Sequence, residues 1–142
     1  MPFVALRAKK LRYAVELSAG GELREENGVV LETPAEWSPE HLLLAALVRC
    51  TLKSFRYHAV HDGVDVHSTS GSARALVTRR KGDGRYAVVE AEVDLAVEFE
   101  PELERAPLSD LLEFAERDCF IGSSLTVEPW YRWTVNGRRI GW

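Results

Sequence analysis

One stretch of the chain constrains the fold more than any other: a run of apolar residues, Leu42 to Val48, that directly follows a helix start. Ser38 provides a hydroxyl that can cap the helix, Pro39 stands where no amide donor is needed, and Glu40 places a negative charge in the first turn. We therefore predict a helix over residues 39–61. Because its first half has no polar face, that half must be enclosed by other parts of the protein.

The second half of this helix carries Arg49, Lys53 and Arg56, which give it one solvent-facing side. The chain has 142 residues, of which 46% are hydrophobic and 28% charged, as in an ordinary globular domain with a hydrophobic core. The sequence contains no internal repeat and no linker rich in proline or serine. We expect a single domain over residues 1–142.

Charge and hydropathy argue against two classes of partner. The net charge is −4 and the basic residues are scattered among acidic ones, so we expect no binding to nucleic acid. The apolar run is far shorter than the ~20 residues that a membrane span needs, and the N-terminal residues lack the apolar segment of a secretory signal. We expect a cytoplasmic protein that makes no contact with a membrane, in which a permanent disulfide is not favoured.

Turn residues and alternating hydrophobicity predict the strands. Before the long helix, Gly20-Gly21 and Asn27-Gly28 mark the turns of a small meander that ends at about Thr33. After the helix, residues 74–80 and 85–100 predict a hairpin, whose second arm alternates apolar side chains with mostly acidic ones. The apolar set is Val89, Ala91, Val93, Leu95, Val97 and Phe99.

A second helix is predicted to begin at Pro107, with apolar residues at helical spacing. These residues are Leu108, Leu111, Leu112 and Ala115. Cys119 follows on the same face, and a final strand is predicted over residues 124–136, where Pro129 indicates an edge or a bulge. The order of elements predicts an α+β fold in which helices pack on antiparallel sheet.

The chain has two cysteines, Cys50 and Cys119, and they are the candidate reactive groups. Each lies on the apolar side of a predicted helix, so both side chains should point inward and can meet. Free cysteine often serves only as a small buried hydrophobe, and the spacing does not decide between that role and a chemical one. A reactive thiol must be ionised, which requires a positive charge or a helix N-terminus nearby, and Cys50 is far from its own helix start.

Three arginines are candidates for that positive charge: Arg24, Arg49 and Arg117. Arg49 and Arg117 are also interpretable as solvated surface residues, because neighbours in sequence on a helix point about 100° apart and these arginines therefore need not face the adjacent sulfur. Glu40 precedes Cys50 by about 15 Å along a continuous helix, so its carboxylate cannot touch the sulfur directly. If Glu40 belongs to the site, an arginine or a second subunit must bridge that distance.

The stretches SPEHLLLAALVRC and AERDCFIGSSLTVEPWYRW together resemble the OsmC/Ohr family of thiol-dependent hydroperoxide reductases, and the order of elements is similar over nearly the whole chain. The resemblance implies an OsmC-like α+β fold with antiparallel sheets, a long central helix and a second helix, in an intertwined homodimer. It maps a peroxidatic cysteine onto Cys50, a resolving cysteine onto Cys119 and an acid that orients a catalytic arginine onto Glu40. For the arginine itself, Arg24 is the nearest match, shortly after a glycine-rich turn.

Two departures from the family pattern lie beside the cysteines. The family often has small residues before the first cysteine and proline after the second, whereas this chain has Val48-Arg49 and Phe120 in those places. Arg49 either crowds the site or replaces the usual arginine.

The activity implied by the resemblance is reduction of organic hydroperoxides, with hydrogen peroxide as a further substrate. A sulfenic acid at Cys50 would condense with Cys119 to a disulfide, which an external dithiol, either a small thiol or a lipoylated protein, would reopen. No cofactor is expected. A redox sensor or small-ligand-binding protein of the same fold, without turnover, stays open as an alternative.

Two further classes of site have little support in the sequence. His58 and His61 with the two cysteines would make four metal ligands, but these histidines lie ~12 to 16 Å beyond Cys50 along the helix. We therefore expect both histidines at the surface and no metal site. Gly122-Ser123-Ser124 lacks the strand–turn–helix context of a serine hydrolase nucleophile.

Overall fold

The computed structural model describes residues 8–141, and the chain divides into two compact units, Met1–Ser38 and Pro39–Trp142. The first unit contains a three-stranded antiparallel meander of β1 (Val15–Leu17), β2 (Leu23–Glu25) and β3 (Val30–Leu31). This meander confirms the one predicted up to about Thr33. Gly21 and Gly28 take φ angles of 88° beside its strands, a conformation that glycine adopts without steric cost. Residues 1–7, part of the segment searched for a secretory signal, lie outside the described residues.

The second unit carries the long helix and a four-stranded sheet. Its elements are α1 (Pro39–His61), β4 (Asp65–Arg79), β5 (Tyr86–Glu100), α2 (Arg105–Arg117), α3 (Phe120–Ser124), β6 (Trp130–Val135) and β7 (Arg138–Arg139). The strand order is β4-β5-β6-β7, in which β5 and β6 are parallel and the other pairs antiparallel. The predicted α+β class is confirmed, and the parallel pair makes this sheet mixed.

Helix α1 has the bounds that the sequence predicted. Beyond its end, Gly63 takes a φ of 73° and the amide of Val64 donates to the carbonyl of Ala59 at 3.1 Å, which turns the chain out of the helix. Its fully buried side chains are Leu47, Thr51, Phe55 and Ala59, spaced four residues apart. This single stripe packs against β4, β5, α2 and α3.

The first half of α1 is less enclosed in this chain than its sequence predicts. Leu42, Leu43 and Leu44 are half-buried and Ala45 is exposed. That a second subunit encloses these residues therefore remains a prediction. The solvent-facing side of the second half is confirmed, because Arg49, Lys53 and Arg56 are all exposed.

The core lies between the helices and one face of the sheet. The predicted apolar face of the second hairpin arm is confirmed from residue 91 onward, where alternate residues of β5 are buried. The predicted apolar stripe of α2 is also buried. Phe55 sits at the centre of this core, with its ring centroid 6.0 Å from Phe99 and 5.6 Å from Trp133.

Two element starts differ from the prediction. The first hairpin arm was expected to begin at residue 74, but β4 begins at Asp65. Its early part is rich in serine and mostly exposed, and pairing along the whole length of β5 stabilises it despite that composition. The second helix begins at Arg105, two residues before Pro107, so the proline lies within the first helical turn.

The C-terminal prediction also needs correction. The strand predicted from residue 124 is β6, which begins only at Trp130, directly after Pro129, and residue 124 belongs to α3. Strand β6 lies between β5 and the short strand β7, so it is not an edge strand. Asn136, with φ of 50°, and Gly137, with φ of 81°, make the tight turn into β7 that the prediction missed.

Within residues 8–141, no helix is both long enough and apolar enough to span a membrane.

Candidate active site

Cys50 and Cys119 meet where α1 passes the junction between α2 and α3. Both are free thiols; Cys50 is half-buried and Cys119 is 0% exposed. The Cys119 thiol acts on the pKa of the Cys50 thiol, so the two side chains are neighbours. The expectation that both thiols point inward and can meet is therefore correct.

The position of Cys119 differs from the prediction, which placed it on the face of the second helix. Helix α2 ends at Arg117, and Cys119 takes an extended conformation with φ of −76° and ψ of 108°. Its sulfur accepts a hydrogen bond from the amide of Gly122 at 3.3 Å, so it caps the N-terminus of α3. Cys119 thus lies between the end of α2 and the start of α3, and its thiol is buried at this junction and not along the face of α2.

Two side chains from other elements reach the Cys119 sulfur. The Thr51 Oγ1 atom lies 3.4 Å from it and 2.9 Å from the carbonyl oxygen of Leu47. Tyr131, from β6, interacts through its hydroxyl with both Thr51 and Cys119. Burial raises the pKa of Tyr131, and the neighbouring Cys119 raises it further, so the phenol keeps its proton.

The surroundings of Cys50 act on its ionisation in both directions. Burial raises the pKa of the Cys50 thiol, backbone hydrogen bonds from Ile121 and Phe120 lower it, and the Cys119 thiol raises it; the net pKa is above its ordinary value. The two amides belong to the first turn of α3. Cys50 is therefore far from its own helix start but lies beside the start of another helix.

Within the second unit, Glu40, Arg49 and Arg117 do not contact the Cys50 sulfur. Glu40 is exposed in the first turn of α1, and because that helix is continuous the two residues are about 15 Å apart along it. Arg49 is exposed, and the Arg117 guanidinium is held by two hydrogen bonds of 2.9 Å to Asp118. Arg24 lies on β2 of the first unit, where it pairs with Glu22 at 2.6 Å and donates to the carbonyl of Gly28 at 3.5 Å.

His58 is not at the surface, in contrast to the prediction. Its side chain is 15% exposed and its Nε2 lies 2.7 Å from Oδ2 of Asp118, the residue before Cys119. This contact ties the α2–α3 junction to α1. The sequence contained a signal for it, because His58 follows the buried Thr51 by two helical turns and so lies on the same face of α1. His61 is exposed as expected.

One further buried polar group lies on α1 beyond Cys50. The Oγ atom of Ser54 is inaccessible to solvent and makes no hydrogen bond among the described residues. Ser54 follows Cys50 by four residues, so it lies one turn away on the same face of α1.

Among residues 8–141, no group of three or more histidine, cysteine, aspartate and glutamate side chains is arranged to hold a metal ion.

The protein thus has an α+β fold in which two free thiols, one on α1 and one at the start of α3, lie side by side. The family model described as OsmC-like protein matches residues 32–133, which include both cysteines. The chain belongs to this family. Among curated proteins, none matches this sequence.

Solved structures show the same fold at low sequence identity. An OsmC-like protein of unknown function from Vibrio cholerae superposes with a TM-score of 0.70 at 17% identity, over 89% of this chain and 100% of that one. An organic hydroperoxide resistance protein from Elizabethkingia anophelis, with thiocyanate bound, gives 0.66 at 16% identity, over 92% of this chain and 100% of that one. The organic hydroperoxide resistance protein OhrB of Bacillus subtilis gives 0.55 at 16% identity, over 87% and 96%.

Proposed function

We propose that the protein is a thiol-dependent peroxidase that reduces organic hydroperoxides. The observation that carries the proposal is the close approach of Cys50 and Cys119, two free thiols of which Cys50 is half-buried and Cys119 fully buried. Family membership and the structural likeness to organic hydroperoxide resistance proteins support it.

In the proposed reaction, the Cys50 thiolate attacks one oxygen of the peroxide and is oxidised to a sulfenic acid, while the other oxygen leaves as the alcohol. Cys119 then attacks the Cys50 sulfur, forming the disulfide and releasing water. An external dithiol, a small thiol or a lipoylated protein, returns both cysteines to thiols. Hydrogen peroxide would react in the same way and yield water.

The activation of Cys50 needs more than its own unit provides. Since burial raises the pKa of this thiol and two amide hydrogen bonds only partly oppose that effect, a positive charge would speed the first step. We propose Arg24 for this role and Glu40 as the acid that orients it, in a homodimer and in the cytoplasm. The half-buried leucines at the start of α1 support the dimer, because a second subunit would cover them.

One observation favours a second candidate, a redox-sensing or ligand-binding protein without turnover. No cation touches the Cys50 sulfur among residues 39–141, and its raised pKa keeps it mostly protonated near neutral pH. Such a thiol pair would still oxidise slowly to a reversible disulfide.

The test compares peroxide consumption by the wild type, Cys50→Ser and Cys119→Ser, with cumene hydroperoxide or hydrogen peroxide and with dihydrolipoamide or dithiothreitol as reductant. We expect multiple turnovers in the wild type, none in Cys50→Ser, and in Cys119→Ser without reductant a single oxidation to a sulfenic acid that dimedone traps. Arg117→Lys is the control for loss of a nearby arginine, because the Arg117 side chain is hydrogen-bonded to Asp118.

Two results would count against the peroxidase. Turnover by Cys50→Ser would exclude the proposed nucleophile. Formation of the disulfide in the wild type without catalytic consumption of peroxide would favour the sensor instead.

A further inference from the structure

Three potential hydrogen-bond donors surround the buried Cys119 sulfur. The Gly122 amide lies 3.3 Å from it, the Thr51 hydroxyl oxygen lies 3.4 Å from it, and the Tyr131 hydroxyl is its third polar neighbour. A neutral thiol sulfur is only a weak acceptor, so a protonated Cys119 makes little use of three donors. A thiolate would use all of them.

The Thr51 hydroxyl has one proton, and besides the Tyr131 hydroxyl its neighbours include two acceptors, the Leu47 carbonyl oxygen and the Cys119 sulfur. The Leu47 carbonyl oxygen at 2.9 Å is the better acceptor while Cys119 is a thiol. Once Cys119 loses its proton, the charged sulfur becomes the stronger acceptor, because hydrogen bonds to ionised groups are roughly twice as strong as neutral ones. A rotation about a single side-chain bond then redirects the proton from Leu47 to the sulfur.

The position of the Tyr131 phenol depends on a glycine. A Cβ atom built on Gly122 would lie 2.6 Å from the Tyr131 hydroxyl oxygen and 3.4 Å from the Cys119 sulfur. Any larger residue at 122 would therefore displace the phenol from the sulfur. Gly122 thus supplies one donor and leaves the room that a second donor needs.

We propose that Thr51 and Tyr131, together with the Gly122 amide, stabilise the Cys119 thiolate and so activate it as the attacking nucleophile in disulfide formation. The inference rests on the proposed role of Cys119 as the resolving thiol. Thr51 and Tyr131 both touch the reacting sulfur, so they are catalytic residues for the second step of the reaction and not for the first.

The step balances without an added base. Cys119 loses its proton, and its electron pair forms the bond to the Cys50 sulfur while the S–O bond of the sulfenic acid breaks. The hydroxide that leaves takes up the proton and departs as water. Because Cys119 is fully buried, donors supplied by the protein must replace the hydration that the thiolate would have in water.

The test measures attack by Cys119 independently of peroxide. With 5,5′-dithiobis(2-nitrobenzoate), the accessible Cys50 forms a mixed disulfide and releases one thionitrobenzoate. Cys119 then attacks that mixed disulfide and releases a second one. The variants are Thr51→Val and Tyr131→Phe, which remove only the hydroxyl groups. The matched control is Tyr86→Phe, which removes the hydroxyl of a tyrosine that is 69% exposed.

We expect the first release to be unchanged in rate and the second to slow about tenfold in each variant, since each loses one hydrogen bond to a charged group. The pH at which the second rate reaches half of its maximum should also rise. A loss of packing alone would lower the melting temperature without moving that pH profile, and this result would overturn the inference. Equal second-phase rates in wild type, Thr51→Val and Tyr131→Phe would overturn it as well.

Gly122→Ala provides a second line of evidence. Alone it should slow the second release as Tyr131→Phe does, because it displaces the phenol. Combined with Tyr131→Phe it should add little, since the atom it collides with is then gone. Additive effects of the two substitutions would contradict the proposed arrangement.

Failure of this inference is distinguishable from failure of the peroxidase proposal. A wild type that consumes no peroxide but shows a fast second release, slowed in both hydroxyl variants, would support the activation of Cys119 and reject peroxidase turnover. Peroxide turnover with second-phase rates that do not depend on the two hydroxyl groups would do the reverse.

Discussion

At Gly71 helix α1 packs closely on the sheet, and we predict that Gly71→Ala destabilises the protein. It lies on β4 opposite Leu95. A Cβ atom there would be 3.0 Å from Val48 Cγ1, 3.0 Å from Leu95 Cδ2 and 3.0 Å from the carbonyl oxygen of Asp94. The carbonyl belongs to the β-ladder and cannot retreat, so the new methyl group must push the helix or the Leu95 side chain.

The expected magnitude combines two opposing effects. Overpacking of a well-packed site costs about 1–3 kcal/mol, while the reduced entropy of the unfolded chain on replacing glycine by alanine offsets ~0.4–1 kcal/mol. Gly71→Ala should therefore lower the free energy of unfolding by about 1 kcal/mol. For a chain of this size this corresponds to a melting temperature lower by roughly 4 °C.

Urea and thermal unfolding of Gly71→Ala measure this effect, with Gly82→Ala as the matched control, because a Cβ atom at residue 82 meets no atom within 4 Å. Val48→Ala removes one of the three contacts, so the double variant Val48→Ala/Gly71→Ala should be more stable than the sum of the single effects predicts. A Gly71→Ala protein as stable as Gly82→Ala would refute the reasoning.

Two further predictions concern ionisable groups around the cysteines. The Cys119 thiol adds to the effect of burial in raising the pKa of the Cys50 thiol, so Cys119→Ala should lower that pKa. The pH dependence of Cys50 alkylation, followed by mass spectrometry, measures the change. An unchanged or higher midpoint would contradict the proximity of the two thiols. The Arg117 guanidinium, and to a smaller extent His58, hold the pKa of the Asp118 carboxyl below its ordinary value of 3.8. The charged carboxylate therefore stabilises the folded state above about pH 4, and this stabilisation is lost as the pH falls through the lowered pKa. Asp118→Asn should therefore be less stable than the wild type near neutral pH, and the difference in urea midpoint should shrink below about pH 4; a difference that does not vary with pH would contradict this account.

The strength of the sequence lies in its local periodicities. Helix α1 has its predicted bounds because a capped start, an apolar run and a terminal glycine all act within a few residues of the backbone that they shape. The buried faces of β5 and α2 follow in the same way from their periods of two and of about 3.6 residues. Early β4 was missed because a ladder partner, rather than its own serine-rich residues, makes it a strand.

The candidate site was predictable in its reactive atoms but not in their surroundings. Cys50 and Cys119 stood out as the two thiols of the chain, and the orientation of Cys50 followed from helical spacing. Cys119 is buried as predicted, but by the turn between α2 and α3 and not by the face of a helix. Thr51 and Tyr131 carried no such signal, since a threonine in an apolar helix and a tyrosine in an alternating strand are ordinary core residues. Their role depends on which elements pack together.

The amino-acid sequence by itself therefore determined the bounds of α1, the buried faces of β5 and α2, and which two sulfur atoms are available for chemistry. Only the tertiary structure decided what those sulfurs touch. The turn between α2 and α3 places the amides of Phe120 and Ile121 beside Cys50, and the sheet brings Tyr131 to Cys119. The physical reason is range: hydrophobic periodicity acts over a few residues, whereas the ionisation of a thiol depends on donors and burial contributed by segments far apart in the chain.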